Sequence, residues 1–447
     1  MVTEAVKEKT KYEAAFRKAE QSGRPEPSWL RRLRDGAFDR FEQLGFPATS
    51  EEEWKYTNVA PIAKGAFEPV IDRTPTRLSE TGGLGAFLGE EAAESRLVFI
   101  NGIFEASLSN LNSLPEGVVA MDLSEALRSP AHQSMIWEQF ARYADYNEDG
   151  FSALNTALFS SGAFLLISRG QKVETPIHLL FLSETGSIPL ASFPRVLIVC
   201  EENSAATVIE SYASAGGGDY FNSAVTEIIV GPGAGLRHYK LQREHVDAFH
   251  IATTQAELGS NSSFDTTTIT LGAQLSRHTI GVRMDQEGAE CWVDGLYMVD
   301  GSQHTDTHSL IDHRQPHCTS HQLYKGILDG KSRAVFNGKV FVRPGAQKTD
   351  AMQTNKNMLL SNEARVDTKP QLEIFADDVK CAHGAAIGQL DEEEIFYLES
   401  RGLRPELARN LLTYGFAEEV IEKIGIESIR RELDAAVLNR LHTQLET

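Results

Sequence analysis

The chain has 447 residues, 41% of them hydrophobic and 24% charged, with a formal net charge of −20. That length exceeds one ordinary core and predicts two or three domains, while the acidic balance disfavours nucleic acid and anionic membrane surfaces, which attract clustered Lys and Arg. Its four cysteines, Cys200, Cys291, Cys318 and Cys381, are widely spaced, which argues against a disulfide framework or a ribbon-type zinc site and for a reducing cytoplasm.

The first ten residues carry charge where a secretory signal needs an apolar run. The longest apolar runs, such as Ala163–Ile167, are far short of the ~20 residues that span a bilayer. Residues 1 to 60 read as helical: Trp29, Leu30, Leu33, Ala37, Phe38, Phe41 and Leu44 recur at helical spacing. Ser50-Glu51-Glu52-Glu53 has the pattern of a capping box. After a mixed stretch, a helical pair is expected over 132–160, with Phe151, Leu154, Leu158 and Phe159 on one face.

From residue 163 the pattern changes. Short apolar or β-branched runs recur, among them Phe164–Ser168, Arg195–Cys200, Val225–Val230, Leu236–Leu241 and Trp292–Val299, punctuated by Gly, Asn, Asp and Pro. This predicts an all-β block, with a sandwich, a barrel or a stacked solenoid all compatible and the solenoid favoured by the block's length. Helical periodicity returns after His383. Asp391 and Glu394 can cap a helix stopping at Gly402, Pro405 suits a first helical turn, and Ile426, Ile429, Leu433, Val437, Leu441 and Leu445 form a last stripe. The expected division is 1–160 helical and mixed, 161–389 β, and 390–447 helical.

Two glycine-rich stretches look like phosphate loops and are better read as turns. Gly326-Ile-Leu-Asp-Gly330-Lys331-Ser332 is one residue short of the required spacing, and strand-like sequence follows it. Gly231-Pro-Gly-Ala-Gly235 is followed by Leu236 and a short strand. Without a helix N-terminus neither has an anion site, so no nucleotide hydrolysis is expected of this chain.

His304, His308, His313, His317, Cys318 and His321 fall close together. In an extended strand His304, Asp306 and His308 share one face, which suits either a metal or a polar ladder at an interface. Cys381 and His383 are also two apart and share a face if extended. A thiolate beside an imidazole suits iron, zinc or sulfur chemistry; ordinary packing suits them too, and two ligands do not close a metal site. Trp54 and Tyr56, beside Lys55, read as core or as a stacking surface.

Several ordered segments resemble the SufB/SufD family of iron–sulfur cluster assembly proteins, over nearly the whole chain: Glu53-Trp-Lys-Tyr-Thr57, Asn101-Gly-Ile-Phe-Glu105, Ala153-Leu-Asn-Thr-Ala157, Asp306-Thr-His308, Pro316–Ser320 with Gln322–Gly326, and Cys381–Gly388 with Ser400-Arg-Gly402. The SufD branch fits better. Lys356 stands where a SufB is expected to carry a cluster-building cysteine, and Cys381-Ala-His-Gly384 replaces a Glu-His-Glu-Ala run; Ala382 and Ala386 depart from the commoner SufD pattern.

The resemblance implies a right-handed parallel β-helix core flanked by helical domains. It implies a non-catalytic scaffold that pairs with SufB through the β-helix and docks the SufC ATPase on residues 390–447. It assigns His383, with Cys381 as a neighbour, to iron or a nascent cluster shared with SufB, with no cofactor held stably by the isolated chain. Homodimerisation in isolation and a reduced flavin in the complex are left open by it. The competing expectation is a free-standing metal-dependent enzyme built on the His304–His321 cluster.

Overall fold

The alternating runs wind into a parallel β-helix of about eight turns, flanked by helices at both ends of the chain. The computed structural model describes residues 2–21, 25–72, 84, 85, 87, 89–186 and 188–442. Each coil contributes one strand to each of two sheets. The first sheet stacks Gly162–Ile167, Arg195–Cys200, Tyr220–Val230, Phe249–Leu258, Leu275–Met284, His304–His313, Arg333–Val342 and Arg365–Ile374, all parallel. The second stacks Ile177–Ser183, Ala205–Ser214, Gly235–Arg243, Ser263–Thr270, Glu290–Val299, Thr319–Leu328, Asp350–Leu359 and Lys380–Gly388.

Period-two alternation decides which side chains enter the lumen. In Asp350–Leu359 the buried residues Ala351, Gln353, Asn355 and Asn357 alternate with more exposed ones. Corners between strands are tight. Gly330 sits at φ 59°, and a Cβ there would lie 2.8 Å from Asp300 Oδ1 and from the Gly301 nitrogen of the coil beneath. The turn reading holds fully at the second phosphate-loop look-alike, where residues 231–234 link Tyr220–Val230 to Gly235–Arg243, and in part at the first, where Gly326 lies inside Thr319–Leu328 and residues 329–332 make the turn.

The earlier part of the chain closes one end of the coil. Arg96–Ile100 pairs in parallel with Ile177–Ser183, and Val118–Asp122 pairs antiparallel with Gly162–Ile167. Asn101 and Gly102, at φ 49° and 78°, turn Arg96–Ile100 back onto Ile103–Phe104, a conformation that favours Asn-Gly. Helix Ser28–Leu44 packs on Gly150–Leu158, which in turn packs on Tyr220–Val230 of the first sheet, in an apolar cluster that includes Leu30, Ala37, Phe38, Phe41, Phe151 and Leu154. The motif around Asn155 is explained by its contacts. Asn155 Nδ2 donates to the carbonyls of Pro194 at 2.8 Å and Ser223 at 2.7 Å, while Arg195 Nη1 donates to Thr156 Oγ1 at 3.0 Å.

One sequence expectation fails. Ser50–Glu53 forms no capping box: Glu52–Trp54 is a single 3-10 turn without a side-chain cap, and Glu51 Oε1 accepts from the Ala48 nitrogen at 2.8 Å instead. Glu53 is drawn to a partner on the β-helix, so a tertiary contact outcompetes the local one. The last helix, Glu427–His442, buries Ile429, Leu433 and Val437 as its stripe predicts; Leu445 lies outside the described residues.

The lumen is not wholly apolar. Glu210, fully buried, accepts from Tyr212 at 2.8 Å and Thr226 at 3.0 Å, and lies 3.4 Å from Lys240 Nζ and 3.2 Å from His238 Nε2. Burial pushes the Glu210 carboxyl up, but Lys240 and the His238 hydrogen bond outweigh it and hold the group well below the carboxylate range. Breaking such a pair strands a buried charge. Lys240→Met is expected to lower stability by about 3 kcal/mol, read as a fall in the urea midpoint; an unchanged midpoint refutes a charge-paired lumen.

Candidate functional site

The two ends of the β-helix differ. At the C-terminal end, Lys380–Gly388 pairs along one edge with Asp350–Leu359, and Arg365–Ile374 pairs along one edge with Arg333–Val342; each ends its sheet. A β edge presents a row of unpaired N–H and C=O groups able to template another strand. At this end Ile374, Phe375 and Ile387 are exposed.

Cys381 and His383 lie on this terminal strand, opposite Ala351 and Gln353. Those partners are buried and lumen-facing, so Cys381 and His383 continue two inward lanes at a mouth that, among the described residues, no further coil covers. The shared face expected from their spacing is therefore formed. His383 is exposed and Cys381 partly buried. Burial pushes the Cys381 thiol up, and the Asp350 carboxylate adds to the shift, so Cys381 is a thiol rather than a thiolate at neutral pH. Among the described residues, no group of three or more His, Cys, Asp or Glu is placed to hold a metal ion. His383 and Cys381 thus offer at most half of a four-ligand set.

The histidines of 304–321 do not converge. His313 donates to or accepts from Ser320 Oγ at 2.8 Å inside the lumen. His321 stacks on Trp292 on the outer face, centroids 5.9 Å apart. His317, at φ 59°, occupies a turn, and Cys318 is buried. Strand alternation and an intervening corner send neighbouring residues to different surfaces.

His304, Asp306 and His308 do share a face, and it is occupied by the chain's own N-terminal motif. Asp306 pairs with Arg277 at 2.6 Å, with His308 Nε2 at 3.0 Å, and accepts from Thr57 Oγ1 at 2.5 Å. His304 Nε2 lies 3.0 Å from Thr57 Oγ1. His308 Nδ1 reaches Glu53 at 3.1 Å, and the Arg277 guanidinium lies 3.7 Å above the Trp54 ring, so Trp54 is core. These contacts make the face an anchor joining residues 53–57 to the β-helix.

The C-terminal helices cover the second sheet's outer face. Ile421, Ile424, Ile426, Ile429 and Leu433 pack on Tyr239, Leu241, Ile269, Leu296 and Met298. Lys423 Nζ pairs with Asp294 at 2.7 Å, and the Gly425 nitrogen donates to Tyr239 OH at 2.9 Å. Asp391 caps Glu392–Ser400 by accepting from the Glu393 nitrogen, and Pro405 opens Pro405–Ile421. Glu392–Ser400 buries only Ile395. Phe396 and Tyr397 are 71% and 56% exposed, with Leu407 and Leu411 also exposed on the next helix. Lys356 faces outward beneath the same helices, 3.8 Å from Glu419.

Gln322, Gln353 and Asn355 line the lumen below the mouth; Gln322 opens a segment of the family resemblance, but neither it nor the other two is marked by the sequence as lumen-facing. The signal that finds them is a polar residue at inward parity in consecutive coils, which requires the coil register.

Comparison with known proteins agrees with this geometry. Residues 181–416 match the family model of the SUF system FeS cluster assembly SufBD core domain, and residues 6–179 match that of the SufBD protein N-terminal region. The chain is 39% identical to an iron–sulfur cluster assembly SufBD family protein of Synechocystis, over 92% of this chain and 91% of that one. It is 30% identical to the iron–sulfur cluster assembly protein SufD of Escherichia coli, over 89% and 90% of the two chains. The SufD of Bacillus subtilis is 28% identical, over 92% and 94%.

The anchor has a predictable pH response. Burial opposes charge on His308, but the Asp306 carboxylate and hydrogen bonds to Asp306 and Glu53 outweigh it and raise its pKa. A raised folded-state pKa stabilises fully below the unfolded value of about 6.5 and is lost as pH climbs through the folded value. Hydrogen exchange of residues 50–60, corrected for intrinsic rates, is therefore expected to show more protection at pH 6 than at pH 9, and His308→Ala to abolish the difference. Equal protection in the unaltered chain contradicts the anchor.

Proposed function

Because the chain belongs to the SufB/SufD family of iron–sulfur cluster assembly proteins, we propose that it is a SufD-type scaffold subunit that completes a cluster-forming site with SufB and docks SufC. The observation that carries the reading is the open mouth of the β-helix, where an unpaired edge and an unclosed ligand pair coincide. A partner β-helix adding its strands to Lys380–Gly388 and Arg365–Ile374 satisfies the edge. The same approach brings the partner's side chains opposite His383, supplying ligands that this chain lacks. Iron and the nascent cluster are cargo in this scheme.

His383 is the residue assigned to that cargo, its imidazole being a ligand suited to iron. Cys381 is a neighbour, disfavoured as a first nucleophile by its protonated thiol. The exposed apolar patch of Phe396, Tyr397, Leu407 and Leu411 is the proposed SufC surface. An ATP-driven change in SufC alters the mouth only if its two states differ in affinity for the two scaffold arrangements. The rival, a free-standing metalloenzyme at His304–His321, is disfavoured by the dispersal of those histidines.

Two reconstitutions test the scheme. With SufB and SufC present, His383→Ala is expected to slow cluster formation at least ~10-fold, since losing even a partner that orients a metal ligand costs about that much, while leaving the chain folded; a normal rate sinks the ligand role. Leu411→Asp combined with Phe396→Asp is expected to abolish SufC capture and spare SufB pairing, because it buries charge in an apolar contact. Retained capture moves the SufC surface elsewhere.

A further inference from the structure

We infer that Gln353 is a positioning residue for His383, an inference that rests on the proposed role of His383 at the mouth. Gln322, Gln353 and His383 are successive Cα partners in the second sheet. The two glutamines are 3% and 1% exposed, so their lane faces the lumen. Gln353 Nε2 donates to Gln322 Oε1 at 2.8 Å, and Ser309 Oγ donates to the same oxygen at 3.1 Å. The donor side of the Gln353 amide is thereby committed to the coil beneath. Its Oε1 is buried without a hydrogen-bond partner.

A buried acceptor without a donor is destabilising. The next group along the lane is His383, one strand spacing of about 4.8 Å away. The other lumen-facing positions of that strand offer little competition. Ala385 and Ile387 have no donor, and Cys381 aligns with Ala351. Across the lumen, room for the amide is made by Gly338: a Cβ there would lie 2.6 Å from Gln353 Nε2 and 2.7 Å from Phe336 Cζ.

Gln353 Oε1 therefore accepts a ring N–H of His383 when the imidazole turns inward. The polarity continues down the lane, from His383 to Gln353 to Gln322, and such aligned bonds reinforce each other. The pairing fixes which ring nitrogen holds the proton and directs the other nitrogen's lone pair out of the mouth. Imidazoles that bind metals are commonly oriented by an acceptor in this way.

The test uses the full chain with 15N-labelled histidine at pH 8.5, the His383 signals being assigned by their loss in His383→Ala. The expected result is two well-separated ring nitrogen shifts in the unaltered chain, one protonated and one not. Gln353→Leu should move them toward the averaged values of a free imidazole, and Gln353→Glu, which keeps an acceptor, should preserve the separation. Identical shifts in Gln353→Leu and the unaltered chain overturn the inference. If Gln353→Leu does not fold, Gln353→Asn withdraws the acceptor by one methylene and must show the same averaging. With SufB and SufC, Gln353→Leu should slow cluster formation about 10-fold and Gln353→Glu restore it. Averaged shifts in Gln353→Leu alongside normal cluster formation by His383→Ala remove the role of His383 and leave the pairing; unaltered shifts alongside failure of His383→Ala remove the pairing alone.

Discussion

Every coil of a parallel β-helix depends on its neighbours for backbone hydrogen bonds. Buried N–H and C=O groups must be paired, and here each strand finds partners one coil up and one coil down. The constraint is met everywhere except at the ends. The N-terminal end is closed by Arg96–Ile100 and Val118–Asp122. The C-terminal end stops at Lys380–Gly388 and Arg365–Ile374. Among the described residues the coil stack thus ends in open strand edges at Lys380–Gly388 and Arg365–Ile374, and the first of these strands carries His383.

The lumen supports this in a second way. Glu210, Lys240 and His238 form a paired cluster among apolar neighbours, and Gln322 and Gln353 continue the polar content toward the mouth. Paired charges give little net stability, because desolvation offsets their attraction. They do penalise misregister heavily: a one-residue slip turns every inward residue outward and leaves each member of the cluster without its partner. A polar lumen of this kind therefore favours one register over its neighbours.

Both ends of the chain then fasten onto this rod. Residues 53–57 attach through Asp306, His308 and Arg277, and the C-terminal helices through Tyr239, Asp294 and an isoleucine-rich stripe. The attachments consume the histidine face that sequence inspection offers as a metal site. They leave Phe396 and Tyr397 bare. The surfaces left over, mouth and patch, lie on the same C-terminal portion of the chain.

Much was legible from residues alone. Alternation with turn residues determines strands, because a pleated backbone repeats every two residues, and 3.6-residue stripes determine the flanking helices such as Ser28–Leu44 and Glu427–His442. The shared face of Cys381 and His383 follows from the same parity. What parity does not contain is registry between coils. It does not say that Gln353 lies against His383, that Asp306 meets Arg277 and Thr57, or that His313 and His321 part to opposite surfaces around a corner. The capping box at Ser50 failed for the same reason: local spacing promised Glu53 a backbone partner, and His308, distant in sequence, bound it. The chain by itself determined period, element type and family resemblance, which depend on near neighbours. Only the tertiary structure decided which end is open and which side chains meet there, because those depend on contacts between residues far apart in the chain.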